Sequence, residues 1–371
     1  MGHETLKARI ASAPLVKGVV DRLVEKSIAG IFPMDEAATV LRHKHSLMDE
    51  LVEKAAKLNE SLFGRKIDFY GISYIADPCV NDCSYCGLST SVPHRRQILS
   101  DEELRKDFAV VMDYGAGELC ILAGEHPVVT PEFLSKAGRI ALEMDGKKAL
   151  EKLTFNVAPF DAEGFRKMRS GIDFPLQFRI FQESYDPVTY RLHHTKGPKR
   201  NMEFRLGAHS RALKAGFDHV GIGALLGLNA DDSVYKHFGN DFEIMAMIDH
   251  GYRLHEGTGR FPHSMSIPRQ QAVDGFAGKV ANPVDDQRYI LYNAILKLAL
   301  PYTKLILTRR ETAEMFDVLR PILNIEDLAP RPGVGGNYKA AHFQNVVPDS
   351  RNAKEIVADV AAKGYIPVIK M

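Results

Sequence analysis

From about residue 66 onward, the sequence alternates between short apolar runs and longer stretches with helical spacing. The apolar runs, such as "IDFYGISYI", "ELCILAG" and "KLILT", predict buried strands, and "SDEELRKDFAVVMDYG" predicts a helix that begins at Ser100 with a capping box to Glu103. About seven such strand–helix pairs follow one another without a linker. Repeated pairs favour a parallel sheet, and their number predicts an α/β fold, a (βα)8 TIM-type barrel or a partial barrel.

Residues 1–65 lack this alternation and predict helices instead. "PMDEAATVLR" has a proline-then-acid start, and "HSLMDELVEKAAKLNESLFG" has apolar residues at helical spacing and ends on Gly64. We therefore expect a helical N-terminal extension over 1–65 and a single catalytic barrel with a C-terminal associated segment over 66–371.

The charge of the chain restricts its partners. Lys and Arg number 48 against 47 Asp and Glu, a formal net charge of +1. A charge balance this even argues against a nucleic-acid partner or a polybasic membrane patch, although "GPKR" could bind an anion locally. No apolar run reaches the ~18 residues of a membrane span, and the N-terminus lacks a signal-peptide pattern. The expectation is a cytoplasmic protein.

Three of the four cysteines lie in one short loop, "DPCVNDCSYCGLS". The loop follows the first predicted strand, which is where a βα barrel places its site. Cys79, Cys83 and Cys86 are spaced C-x3-C-x2-C, and thiolates suit zinc, copper or iron–sulfur clusters. Three thiolates can hold three irons of a [4Fe–4S] cube and leave the fourth iron open for a small molecule.

Two other interpretations of the cysteines stay open at this point. Structural zinc needs four protein ligands, and a nearby histidine such as His94 could complete such a site. The second interpretation is that the cysteines cluster in a core by chance. The remaining thiol, Cys120, lies in the middle of a predicted buried strand.

The cysteine loop, with an aromatic residue before its last cysteine, resembles that of radical S-adenosylmethionine (SAM) enzymes. From about residue 40 to the end, "LAGEHP", "NVAP", "FQESY", "RLHHTKGPK", "GFDHVGIGALLGL", "HSMSIPR" and "LTRRE" follow in the order of one branch. That branch contains two tyrosine lyases, 2-iminoacetate synthase and the hydrogenase H-cluster maturase, and the tryptophan lyase that makes 3-methyl-2-indolic acid. The resemblance implies a radical SAM carbon–carbon lyase with a [4Fe–4S] cluster on Cys79, Cys83 and Cys86.

The resemblance also implies a set of SAM contacts. Tyr85, in the cysteine loop, would offer a flat apolar surface beside the open iron. The others lie at the ends of predicted strands or in the helix that follows, and they would hold the amino, carboxylate, ribose and adenine groups. The set comprises Tyr85, Gly124, Glu125, Gln182, Glu183, Arg205 and Gly223, with Gly221 and Gly227 beside the last.

For the substrate, the resemblance implies a free L-amino acid, which we expect to be aromatic. A 5′-deoxyadenosyl radical would remove a hydrogen from its amine, and a bond at Cα would then break. Arg310 aligns with the arginine that binds the substrate carboxylate, with Arg309 as its rival, and Tyr74 lines the same pocket. Ser266 and Arg269 would add polar contacts. The expected electron donor is a flavodoxin or ferredoxin.

Three segments depart from the tyrosine lyases: "IADPC", "GLST" and "RPGVGGNY". They lead us to expect a reaction like that of the tryptophan lyase, with tyrosine lyase, giving p-cresol and dehydroglycine, as the alternative. A biotin-synthase-like enzyme with another substrate is a third hypothesis, and a zinc-stabilised scaffold or binding barrel is the competing class. Because no cysteine follows Cys120, a second cluster is not expected.

Overall fold

The computed structural model of the chain describes residues 3–146, 150–229, 239–271, 282–328 and 348–370. Within these ranges, no helix combines the length and the apolar character needed to cross a membrane.

A closed parallel barrel forms the body of the protein. Each of the first seven strands pairs in parallel with the next along the chain, and the first strand pairs with both the second and the eighth, which closes the sheet. A ninth strand pairs with the beginning of the first. The described strands are β1 (Lys66–Ala76), β2 (Glu118–Ala123), β3 (Lys152–Asn156), β4 (Leu176–Arg179), β5 (His219–Gly223), β6 (Ser264–Ser266), β7 (Lys304–Leu307), β8 (Ile325–Asp327) and β9 (Ile366–Val368).

Helices cover the outside of the barrel. The described helices are α1 (His3–Ser12), α2 (Val19–Ile28), α3 (Met34–His43), α4 (Met48–Phe63), α5 (Asp101–Asp113), α6 (Pro131–Asp145), α7 (Ala162–Arg169), α8 (Pro187–His193), α9 (Met202–Leu206), α10 (Ala208–Lys214), α11 (Gly239–Thr258), α12 (Asp286–Ala299), α13 (Ala313–Leu319) and α14 (Ala353–Ala362). The predicted (βα)8 barrel is therefore confirmed, and the partial barrel is not observed.

Local signals in the sequence account for many of the helix ends. Ser100 accepts a hydrogen bond from the Glu103 amide at the start of α5, and the Glu103 carboxylate accepts one from the Ser100 amide, so the predicted capping box is confirmed. Gly64 ends α4 with a positive φ of 65°. The stretch "NMEFRLGAHSRALKAG" predicts one helix that ends on Gly216, but this prediction is wrong, because the chain divides into α9 and α10 at Gly207. Helices α8 and α13 and strand β8 were not anticipated.

The N-terminal helices pack onto the barrel rather than standing apart from it. Their buried apolar side chains belong to the same hydrophobic core as those of the barrel. Two buried ion pairs join the N-terminal segment to the rest of the protein: Lys7 to Asp186 at 2.7 Å and Lys44 to Asp241 at 2.9 Å. The division of the chain at residue 65 stays a prediction.

A buried cluster of charged side chains lies inside the barrel, towards the N-terminal ends of the strands. The Glu118 carboxylate accepts a hydrogen bond from Arg179 and lies 2.9 Å from Lys152 Nζ. Burial raises the pKa of Glu118, but the two cations outweigh burial and bring the pKa down to about 2. In barrels of this type the opposite, C-terminal mouth carries the chemistry, so this cluster is assigned to stability.

Candidate functional site

A cavity of about 110 Å³ opens at the C-terminal mouth of the barrel. It is bounded by the loop after β1, the end of β2, the end of β3 and the loop after it, the loop after β4, Lys199 before α9 and Arg205 within α9. Eight residues singled out from the sequence line it together: Tyr74, Cys79, Cys83, Cys86, Gly124, Glu125, Glu183 and Arg205.

None of the three clustered cysteines forms a disulfide bond, and all three line this shared cavity. In the described part of the chain, no three His, Cys, Asp or Glu side chains converge on one point as the ligands of a single metal ion do. A [4Fe–4S] cube does not need such convergence, because each thiolate binds a different iron. Burial raises the pKa of Cys83 to about 12, against the opposing effect of Lys199. The donor set therefore fits a [4Fe–4S] cluster better than one zinc ion.

The zinc alternative would need a fourth ligand from nearby. His94 Nε2 lies 3.3 Å from Asp77 Oδ2 and is not among the residues lining the cavity. Cys120 lies inside the barrel below the cavity, 3.8 Å from Arg179 Nη1, with burial raising the pKa of its thiol to about 12. Neither residue lines the cavity with the three clustered cysteines.

Arg96 holds the cysteine loop in shape. Its guanidinium donates hydrogen bonds of 2.8–3.1 Å to the carbonyls of Asp77, Leu88, Ser89 and Val92, on both sides of the cysteines. This role could not be predicted, because one arginine among several basic residues has no distinguishing pattern in a sequence.

Gly124 and Glu125 connect the end of β2 to the cysteine loop. A Cβ at Gly124 would clash with the backbone carbonyl of Pro78, so glycine is required for this close approach. The Val80 amide donates to the Glu125 carbonyl at 2.8 Å, and Asn81 Nδ2 donates to Glu125 Oε2 at 2.7 Å. The glycine thus serves loop packing, and the SAM contact predicted for it stays a prediction.

Glu183 is the charged centre of the opposite wall. Lys199 Nζ donates to Glu183 Oε1 at 2.8 Å, and the Arg205 guanidinium lies 3.6 Å from the same oxygen. Burial raises the pKa of Glu183, but Lys199 and Arg205 outweigh it and hold the pKa below its usual range. Arg205 also donates to the Phe181 carbonyl at 2.8 Å. Arg205 is therefore held by the protein itself, and its predicted pairing with the SAM carboxylate remains untested.

Three predicted SAM residues lie beside the cavity rather than on its lining. The Tyr85 hydroxyl is 2.7 Å from His194 Nε2, and the ring packs with Leu225 and Leu228. Gln182 is buried, and neither atom of its side-chain amide has a hydrogen-bond partner in the described ranges. Gly223 lies so close to the Ser266 carbonyl and the Phe181 ring that no Cβ fits there. A buried amide without a partner, as in Gln182, is expected to gain one from a bound molecule.

The structure separates the candidate substrate residues. Arg309 is buried and donates to the backbone carbonyls of Asp349 and Arg351. Arg310, in contrast, has no hydrogen bond or ion pair from its guanidinium to any described residue. Burial acts to raise the pKa of both Tyr74 and Glu183, and the charge of Arg310 acts in the opposite direction at each, which places Arg310 near both cavity residues. Of the two rivals, Arg310 is therefore the one free to bind a carboxylate.

The weaker candidates already have protein partners. Ser266 Oγ donates to the Ile306 carbonyl at 3.1 Å. Arg269 donates to both carboxylate oxygens of Glu311 and to Asp286 at 2.6 Å. Their predicted substrate contacts would require these bonds to be given up. The segment "RPGVGGNY" lies outside the described residues.

Sequence reasoning missed three polar residues of the cavity. Lys199, Asn81 and Asn156 all line it. Asn81 also orients Lys199, because its Oδ1 accepts a 3.0 Å hydrogen bond from the Lys199 amide. Lys199 and Asn156 stand in motifs that the resemblance included, "RLHHTKGPK" and "NVAP", so their sequence context was available even though their roles were not.

Known proteins resemble this chain over most of its length. The model of the Radical SAM superfamily matches residues 74–237. The 2-iminoacetate synthase of Escherichia coli strain K12 is 26% identical over 327 residues, which cover 87% of this chain and 82% of the relative. The crystal structure of HydG, a maturase of the [FeFe]-hydrogenase, superposes with a TM-score of 0.87 at 28% identity over 98% of this chain and 79% of HydG. Methylornithine synthase, at 19% identity and a TM-score of 0.71, shares the fold over 93% of this chain and 97% of its own.

Proposed function

The chain carries a domain of the radical SAM superfamily and is a radical SAM lyase, and on this premise we propose that its substrate is free L-tyrosine. The family uses a [4Fe–4S] cluster and SAM. The relatives similar over most of the chain, 2-iminoacetate synthase and HydG, are both tyrosine lyases of the branch recognised from the sequence motifs. These relatives support a tyrosine lyase reaction over the tryptophan lyase reaction that "IADPC" and "GLST" led us to expect.

One observation carries the proposal: three cysteines outside any disulfide line the same cavity as Glu183, Arg205 and Tyr74 at the C-terminal mouth of the barrel. The thiolates of Cys79, Cys83 and Cys86 would hold the cluster. When bound, the cluster and SAM would supply the radical chemistry that removes a hydrogen from the substrate amine.

The residues of the chain provide binding and orientation. Glu125 and Glu183 offer carboxylates to the SAM ammonium, and Arg205 lies beside Glu183 for the SAM carboxylate. Arg310 would bind the substrate carboxylate with its paired N–H groups and so fix the position of the amine. Holding that amine close to the radical carbon is the main geometric requirement of the reaction.

The test is an anaerobic assay of the reconstituted protein with SAM, dithionite and one free L-amino acid at a time. We expect p-cresol and 5′-deoxyadenosine with L-tyrosine, and neither product from the Cys83→Ala variant. Formation of 3-methyl-2-indolic acid from L-tryptophan, with no p-cresol from tyrosine, would overturn the substrate assignment. A colourless protein that retains one zinc and makes no 5′-deoxyadenosine would overturn the whole proposal.

A further inference from the structure

Helix α8 and the segment after it lie directly against the cysteine loop. Ser84, which stands between Cys83 and Cys86, is exposed; its amide donates to the His193 carbonyl at 3.3 Å, and its hydroxyl meets His193 Nδ1. The Asp82 carboxylate accepts hydrogen bonds from the Thr195 and Lys196 amides. The cysteine loop therefore reaches the protein surface at this segment.

The same segment carries a local excess of positive charge. Residues 187–202 contain two arginines and two lysines and no Asp or Glu, although the chain as a whole is balanced. Lys199 is turned inward to Glu183. Arg191, Lys196 and Arg200 are exposed, and their side chains form no ion pair with any described residue. Three exposed cations that form no ion pair with any described residue therefore belong to the segment that contacts the cysteine loop.

Apolar side chains lie among these cations. Val188 is 46% exposed and Leu192 is 55% exposed, both within the seven residues of α8. Single exposed apolar residues are ordinary, but here two of them stand in the same short segment as the three exposed cations, and interfaces combine apolar and charged groups in this way. We call Val188, Arg191, Leu192, Lys196 and Arg200 the basic face.

We propose that the basic face is the docking surface for an acidic one-electron carrier protein of the flavodoxin or ferredoxin type. This inference rests on the proposed function, which consumes one electron for each SAM cleaved. The carrier gives up one electron, the oxidised cluster gains it, and no bond forms or breaks in this step. The rate of electron transfer falls steeply with distance, so the carrier must dock where the cysteine loop is exposed. A positive rim attracts an acidic partner and accelerates its association.

The experiment compares two sources of electrons in one set of variants. A purified acidic flavodoxin with its NADPH-dependent reductase is the protein donor, and dithionite is the small-molecule donor. Arg191→Glu/Lys196→Glu reverses two charges of the basic face. Lys66→Glu/Lys214→Glu is the matched control, because both lysines are exposed, lack ion pairs in the described ranges and lie where β1 begins and α10 ends, at the opposite end of the barrel. Leu192→Ser removes apolar area without changing charge.

For Arg191→Glu/Lys196→Glu, we expect kcat/KM for flavodoxin to fall about tenfold or more, while the dithionite-driven rate of 5′-deoxyadenosine formation stays within about twofold. The control pair should behave like the wild type with both donors. Leu192→Ser should raise the KM for flavodoxin several-fold. Raising the salt concentration should slow the flavodoxin-driven reaction of the wild type more than that of the charge-reversed variant.

Equal flavodoxin-driven rates in the wild type and the charge-reversed variant would overturn this inference alone. So would an equal loss in the Lys66→Glu/Lys214→Glu control, because the effect would then be one of net charge and not of a docking surface. If the wild type makes no 5′-deoxyadenosine with dithionite, the proposed function fails and this inference fails with it.

Discussion

Lys199 Nζ donates a 2.8 Å hydrogen bond to Glu183 Oε1 in the wall of the cavity, next to the cysteine loop. Glu183 is also the one non-glycine residue with a positive φ, 69°, in the described part of the chain. A side chain in this conformation is strained and persists because its surroundings hold it, which is typical of a ligand-binding position.

Replacement of Lys199 by Met should therefore destabilise the protein. Removing one partner of a buried ion pair costs about 3 kcal/mol or more, here at the lower end because Arg205 still lies 3.6 Å from Glu183. Urea unfolding under anaerobic conditions measures the loss. Lys196→Met, three positions away and exposed, is the control and should leave stability nearly unchanged. Equal stability of both variants would contradict a structural role for the pair.

Gly124→Ala should prevent the cysteine loop from packing on the end of β2. The added Cβ would meet the Pro78 carbonyl, and backbone atoms cannot move away as the end of a flexible side chain can. We expect reduced iron incorporation on reconstitution and lower thermal stability. Gly257→Ala is the control, because it has open space in helix α11 and should be neutral or stabilising by about 0.5–1 kcal/mol. Normal iron content in Gly124→Ala would show that the loop tolerates the side chain.

Two cysteine variants should separate the cluster thiols from the core thiol. Cys83→Ala removes a cavity thiol, and we expect it to lose the roughly four irons of a [4Fe–4S] cluster and its brown colour. Cys120→Ala removes a buried thiol inside the barrel and should keep the iron while losing some stability. Iron and sulfide analysis with the visible absorption spectrum distinguishes the two. Iron loss in Cys120→Ala alone would contradict the assignment.

Arg310→Ala should keep the cluster and lose substrate-coupled turnover. Its guanidinium is free of described partners, so its removal takes away a carboxylate ligand and little else. We expect kcat/KM for tyrosine to fall about 100-fold or more, as for the loss of a charge-assisted hydrogen bond worth about 3 kcal/mol. Arg309→Ala should instead lower stability, because its partners are the Asp349 and Arg351 carbonyls. Unchanged tyrosine turnover in Arg310→Ala would rule out its role as the carboxylate ligand.

Glu118→Gln should weaken the protein in a pH-dependent way. The pKa of Glu118 falls from an ordinary 4.5 to about 2, so its carboxylate stabilises the folded state above pH 4.5 and loses this effect as the pH falls towards 2. Because a tenfold change in proton affinity corresponds to about 1.4 kcal/mol, the contribution at neutral pH is about 3 kcal/mol.

Urea unfolding of the wild type and Glu118→Gln at pH 7 and pH 3.5 measures this dependence. The difference in unfolding free energy should shrink by about 1 kcal/mol at the lower pH. Glu102→Gln, at an exposed ion pair with Lys106, should have little effect at either pH. A difference that does not change with pH would contradict the lowered pKa.

Much of the fold follows from local sequence patterns. The alternation of apolar and amphipathic stretches gave the order of β1 to β7 and most of the helices between them, because each element buries one face at its own period. Ser100 and Gly64 marked helix ends through interactions within a few residues. The short α8 and the three-residue β8 could not be predicted, since their apolar patterns are too brief to stand out.

The tertiary structure decided what each polar residue of the cavity does. The cysteine spacing indicated a three-thiolate site from sequence alone, because loop ligands are close in the chain. The choice of Arg310 over its neighbour, the pairing of Lys199 with Glu183 and the four carbonyls bound by Arg96 depend on segments brought together by the closed barrel. Adjacent arginines are indistinguishable in a sequence, and only the direction of each side chain in the fold separates a structural one from one that is free to bind a ligand.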